Sequence, residues 1–373
     1  MTETLSFNEA LSLTAHQKRH LLLGNGFSIS LFPGCFHYGS LLEEADFSDI
    51  PEVRQAFDLL KTSDFESVIH ALRQTMAILP LYHNDSELCE RLNLHAERLK
   101  DIFVRTIAGK HPARPSEITD AQYRSCREFL SYFAGERRTG DNTGGRDLRG
   151  YICTLNYDML LYWTSMHDRL IHHDNEGNPS IITLEALQHD DGFRSPEDEP
   201  EAEYVTWDGE EAYNQCIYYL HGALHLYDYG SRLQKLCWER SGGKPLIDQI
   251  RQSLDDGRFP LFVSEGHTDE KFERIRHSGY LHTGLRKFRG ACNTQNHTLF
   301  IFGHSLAEND AHIFRQISKG RLRSLYVSLY GDPDSEGNLA IRRRAELIAG
   351  QRSERYPLEV TFYDAASANV WGN

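Results

Sequence analysis

Two patterns of apolar positions alternate along this chain. Short, often β-branched runs read as buried strands, and longer stretches with an apolar residue every three or four positions read as helices packed on them. Strands are expected at His20–Leu23, Tyr151–Leu155, Cys216–Leu220, Arg258–Ser264, Thr298–Phe302, Ser324–Tyr330 and Leu358–Tyr363. The helical period marks Phe7–Lys18, Val53–Leu60, Phe65–Ile78, Ser86–Ile107, Ala121–Phe133, Asp269–Arg276, Leu281–Arg289 and Leu339–Arg352, and Met159–Trp163 starts as a helix. Ile181–Leu187 is a further short apolar run, Gly135–Gly150 reads as a mobile loop and His172–Gly177 as a polar turn. Alternating strands and helices predict an α/β fold with a largely parallel sheet, and the helical stretch at 40–148 reads as an insertion beside it.

Composition narrows the function classes. The 373 residues can bury a sizeable core. With 54 acidic against 40 basic residues the formal charge is −14, which repels a phosphate backbone, so no nucleic acid partner is expected. Seven cysteines, never spaced C-x-x-C, read as free thiols in a reducing compartment, and no metal is expected. No run approaches a membrane span, so the protein is expected to be cytoplasmic. Asp190–Glu211 holds ten carboxylates and one arginine and reads as a solvated acidic loop (190–211), or else as a surface for a basic partner.

Candidate chemistry collects at strand ends, where open α/β sheets bind ligands. After the first leucine strand come Gly24, Asn25, Gly26 and Ser28. Glycines there let the backbone approach a phosphate, and a helix starting near Ser28 adds its N-terminal dipole. Asn156 and Asp158 sit between strand and helix in Thr154-Leu-Asn-Tyr-Asp, where Asp158 alternatively only caps the helix. Asp64-Phe65-Glu66 can begin a helix over the cleft. His221, followed by Gly222, stands where a general base is useful near neutral pH. His221 and His225 have the spacing of a helical zinc pair, but the run before them reads as strand. Gly303-His-Ser305-Leu-Ala resembles a nucleophile elbow, which raises an α/β serine hydrolase; the last histidine, His312, lies only seven residues past Ser305, within the expected following helix.

Taken in order, Gly24-Asn-Gly-Phe-Ser28, Thr154-Leu-Asn-Tyr-Asp158, His221-Gly222 and Gly303-His-Ser305-Leu are similar to the motifs of sirtuins, and the chain resembles the sirtuin-like NAD-consuming effectors of bacterial anti-phage defence. The resemblance implies a Rossmann-like fold with helices on both faces, begun by residues 1–39, interrupted by the helical insertion at 40–148 and completed by 149–373. It implies NAD+ as substrate, with Gly24, Asn25, Gly26, Ser28, Thr154, Gly303 and Ser305 around the cofactor. Asn156 then lies near the nicotinamide ribose, Asp158 near the carboxamide, and His221 is the catalytic histidine. The four zinc-binding cysteines of deacylating sirtuins are missing, which favours hydrolysis of NAD+ itself to nicotinamide and ADP-ribose over protein deacylation. Abortive infection, gated by a homo-oligomer or by a nucleotide-sensing partner encoded in the same defence operon, is the implied biology. The non-enzymatic alternative is a sensor subunit that binds NAD or a related nucleotide without turnover.

Overall fold

A computed structural model of the chain describes residues 4–83, 85–135, 138, 146–173, 179–184, 187, 189–209, 214–230, 232–237, 243–264 and 268–372. Its strands, in chain order, are β1 (Lys18–Leu23), β2 (Ile152–Thr154), β3 (Arg169–His173), β4 (Pro179–Thr183), β5 (Phe193–Arg194) and β6 (Tyr204–Trp207). They continue with β7 (Ile217–Tyr219), β8 (Leu226–Asp228), β9 (Leu233–Leu236), β10 (His297–Phe302), β11 (Ser324–Leu329) and β12 (Glu359–Asp364). Six of them form one parallel sheet in the order β12-β11-β10-β1-β2-β7, flanked by helices, which is the expected Rossmann-like α/β class. Only the first residue of β1, β10 and β11 is partly exposed and the rest are buried. Strands covered on both faces read as continuous apolar runs, and that is why these were legible.

The chain lays β1, β2 and β7 outward in one direction, returns to the other side of β1, and lays β10, β11 and β12 the opposite way. The seam between β1 and β10 is therefore the topological switch point. Register aligns Leu23 with both Phe302 and Thr154, and Thr154 with Tyr219, so the carboxyl ends of four strands finish at one level.

Between β1 and β2 the chain is helical, and the segments Pro51–Leu60, Phe65–Ile78, Ser86–Lys110 and Asp120–Ala134 form where expected. Phe65 stacks on Phe103 with ring centroids 4.7 Å apart, and Phe103 meets Phe262 at 5.6 Å, so this segment shares one buried core with the sheet. The apolar stripe of the long helix is buried only in its second half, at Leu99, Phe103 and Ile107; Leu94 is exposed, as are Ile78, Leu81 and Tyr82 at the turn before it.

Several expectations need correction. The first helix covers only Phe7–Leu13, closed by a Ser6–Glu9 capping box, and Lys18 already belongs to β1. Arg258–Ser264 is no strand: Phe262 makes one antiparallel bridge to Gly222, and Pro260 lacks the donor a ladder needs. Ile181 and Ile182 lie in β4, which pairs with β3 as a hairpin and exposes both. His172 and His173 belong to β3, while 174–177 and most of the loop at 136–145 lie outside the described residues. The acidic run is not simply a solvated loop. It supplies β5 and β6 to a four-stranded antiparallel sheet, because aromatic and β-branched residues from Tyr204 to Trp207 favour a strand and the flanking acids find internal partners. Asp190 pairs with Arg194 at 2.7 Å and Asp191 with the buried Lys235, while Glu210 and Glu211 lie outside the described residues.

Candidate functional site

A cleft of about 1090 Å³ opens at the switch point, and Gly24, Asn25, Gly26, Asn156, Asp158, His221, Gly303 and Ser305 all line it. Ser28 and Thr154 stand behind its wall, both buried. The glycines act differently from expectation. Gly24 N–H donates to Phe302 O and Gly26 N–H to Gly303 O, and a Cβ on Gly24 would lie 2.7 Å from Gly303 O. They let two turns touch across the seam rather than clear a path for phosphate. The amides of Phe27 and Ser28 are also donated within the turn, and the helix begins at Gly26 but spans only to Ile29. In the two glycine turns the amides of Asn25, His304 and Ser305 have no acceptor among the described residues.

Asn156 is set by its own strand end, where its N–H donates to Thr154 Oγ1 at 3.0 Å. Its Nδ2 donates to Gly24 O at 3.1 Å and to Ser28 Oγ at 3.0 Å, which leaves Oδ1 as its polar atom for a ligand. Ser28 Oγ in turn donates to Asp158 Oδ2 at 2.5 Å, and Leu160 N–H donates to Asp158 Oδ1 at 2.9 Å. Asp158 thus accepts from the first amide of the following helix, whose N-cap is Met159, and also ties the two loops together. Burial raises its carboxyl above the usual range, against the pull of those bonds.

His221 follows β7. Gly222 holds φ at +81°, and a Cβ there would lie 1.9 Å from Leu261 O, so only glycine lets the 261–263 segment cross behind the histidine. His221 Nε2 faces His312 Nε2 at 3.0 Å and Asp310 Oδ1 at 3.8 Å. Burial pushes both imidazoles down, His221 well below its usual value and His312 to about 3. His225 is buried elsewhere, stacked on Tyr162 at 4.9 Å, so the helical zinc pair does not form.

Sequence reasoning missed the cluster around His221. Lys271, buried, donates to Glu66 Oε2 at 2.6 Å and to Asp310 Oδ1 at 3.0 Å. Glu66 also accepts from Tyr157 OH and Asn309 Nδ2, both at 2.9 Å, and Asp310 Oδ2 faces His304 Nε2 at 3.1 Å. Burial lifts the Glu66 carboxyl to about 7, whereas the Lys271 ammonium and His304 hold Asp310 well below the carboxylate range in spite of burial. Ligand atoms of His221, Asp310 and His312 lie within 4.8 Å of one another, a convergence that suits a divalent ion. Lys271 already supplies a cation beside that Asp310 oxygen, and a second charge there meets like-charge repulsion in a poorly screened site. The one available signal was Glu66 in the first turn of its helix; nothing in the pattern separates Lys271 from a solvated helix lysine.

The hydrolase geometry does not assemble. Positive φ falls on Gly303 and Leu306 rather than on Ser305, and His312 faces His221. Ser305 is exposed, and its carbonyl accepts from Arg344 at 2.9 Å.

No curated protein matches this chain. Residues 21–371 match the model of a family described as a domain of unknown function (DUF4917), a span from β1 to the last buried tryptophan that takes in the whole cleft. The chain belongs to the DUF4917 family.

Proposed function

We propose that this protein is an NAD+ glycohydrolase. The observation that carries the reading is convergence: Asn156, Asp158, His221 and both glycine turns, far apart in sequence, line one cleft at the switch point. In the proposed reaction the bond between the ribose anomeric carbon and nicotinamide nitrogen breaks, and its electrons neutralise the departing pyridinium. Water attacks that carbon and its proton passes to His221, to be released later to solvent. Asn156 Oδ1 orients the water or the ribose hydroxyls, while Asp158 acts as a brace that fixes Asn156 through Ser28. The carboxylate of Asp310 lines the same cleft and favours developing positive charge. Among the described residues no lysine or arginine lines the cleft, so the diphosphate is assigned to the unengaged amides of Asn25, His304 and Ser305.

Action as an abortive-infection effector, gated by oligomerisation or by a sensing partner, belongs to the same proposal and rests on the motif resemblance. The deciding experiment is nicotinamide release from NAD+ by the full chain, alone and with candidate activators. Binding of NAD+ with no turnover under every condition would leave a sensor, and neither binding nor turnover would end the NAD reading.

A further inference from the structure

The histidines around Asp310 are not equivalent. His304 has both ring nitrogens engaged: Nδ1 accepts from Leu306 N–H at 2.8 Å, which places its proton on Nε2, facing Asp310. His221 engages only Nε2, and no neighbour among the described residues meets its Nδ1. Two neutral imidazoles facing each other at 3.0 Å share one proton. With that proton on His221, its Nδ1 is bare and can accept; with it on His312, the Nδ1 of His221 carries hydrogen and can only donate.

His312 Nδ1 is buried without a partner in either state, as an N–H in the first and as a bare nitrogen in the second. Charge separates the two states. Asp310 acts on both rings, but its Oδ1 is 3.8 Å from His221 Nε2, whereas its approach to His312 lies between 4.0 and 4.8 Å, so His221 feels it more closely. The negative charge draws the shared proton to the His221 side. Lys271, held by Asp310 and Glu66, His304, the Tyr157 ring stacked on His221 at 6.4 Å, and Arg315 near His312 make up the charged and titratable surroundings.

We propose that His312 is a positioning residue: it accepts the Nε2–H of His221 and thereby keeps His221 Nδ1 bare for the proton-accepting step. This rests on the assignment of His221 as base. After proton uptake the imidazolium keeps its bond to His312, with Asp310 beside it.

The test is the tautomer of His221, read from nitrogen chemical shifts in the full chain labelled with ¹⁵N-histidine. A proton on Nε2 is expected, and one on Nδ1 overturns the proposal without any variant. His312→Phe, which removes the acceptor, should mix the tautomers, lower kcat for NAD+ by about tenfold or more with little change in KM, and move the acid side of the pH profile. His312→Gln, whose amide oxygen can accept, should restore most of the loss. An unchanged tautomer and pH profile in a folded His312→Phe protein would refute the assignment. If the tautomer shifts as expected but the wild-type chain never cleaves NAD+, the positioning role stands and the glycohydrolase reading falls.

Discussion

Asn156 serves two ends with one amide group: Nδ2 braces the first glycine turn and Oδ1 is left for the ligand. Asn156→Ala should therefore lower NAD+ cleavage by about 10²–10⁴-fold, as should His221→Ala, with the far-ultraviolet spectrum unchanged in each. Full turnover by both variants would remove the site assignment. Ser305→Ala keeps its backbone amide, the atom assigned to the ligand, so appreciable turnover is expected; an inactive variant that leaves NAD+ binding intact would contradict this. Glu66 gives a pH signature. Burial raises its carboxyl from 4.5 to about 7, so the folded state binds the proton more tightly than the unfolded chain. Its contribution to stability is full below about pH 4.5 and fades as pH rises through 7. Glu66→Gln, a mimic of the protonated form, should gain on the wild type between those limits in urea titrations; a pH-independent difference would contradict the shift.

At the scale of elements, the site depends on turns that leave no room for side chains. Gly222→Ala places a Cβ 1.9 Å from Leu261 O at a left-handed φ, and should cost about 2–4 kcal/mol, read as a lowered denaturation midpoint. Wild-type stability in that variant would contradict so close a crossing at 261–263. The same elements show what a sequence reveals. The parallel strands stood out because burial on both faces makes them continuously apolar, and the polar groups at their ends marked the cleft. The crossing segment at 258–264 was misread because an apolar run buried by a neighbour looks like one buried in a ladder. Glu66, Lys271 and Asp310 were illegible as a unit: each sits on a different element, and a buried charge announces itself only through a partner that folding brings near. The small antiparallel sheet was masked by the acids between its strands.

For the whole molecule, the buried Lys271 joins the helical segment between β1 and β2, through Glu66, to the carboxyl edge of the sheet, through Asp310. Lys271→Met strips the cation from two buried carboxylates and should destabilise by about 3–5 kcal/mol. Under the proposed activity the protein needs restraint in a cell, and the exposed carboxylates of the acidic run offer a handle for a basic activator. Because Asp190, Asp191 and Asp198 are paired internally, the effective change is to Glu197, Glu201 and Glu203: their conversion to glutamine, like added salt, should weaken activation by such a partner. Equal activation of wild type and variant would exclude that surface. The β1–β10 seam also sets the order in which the protein can come to life on the ribosome. Lys18 is made first, yet its partner His297 and the turn that completes the cleft follow only after the helical segment, β2 and β7. A nascent chain ending before β10 carries Asn156 and His221 but lacks the strand and turn on the other side of β1, so the cleft is completed only after β10 has been made, a delay written into strand order.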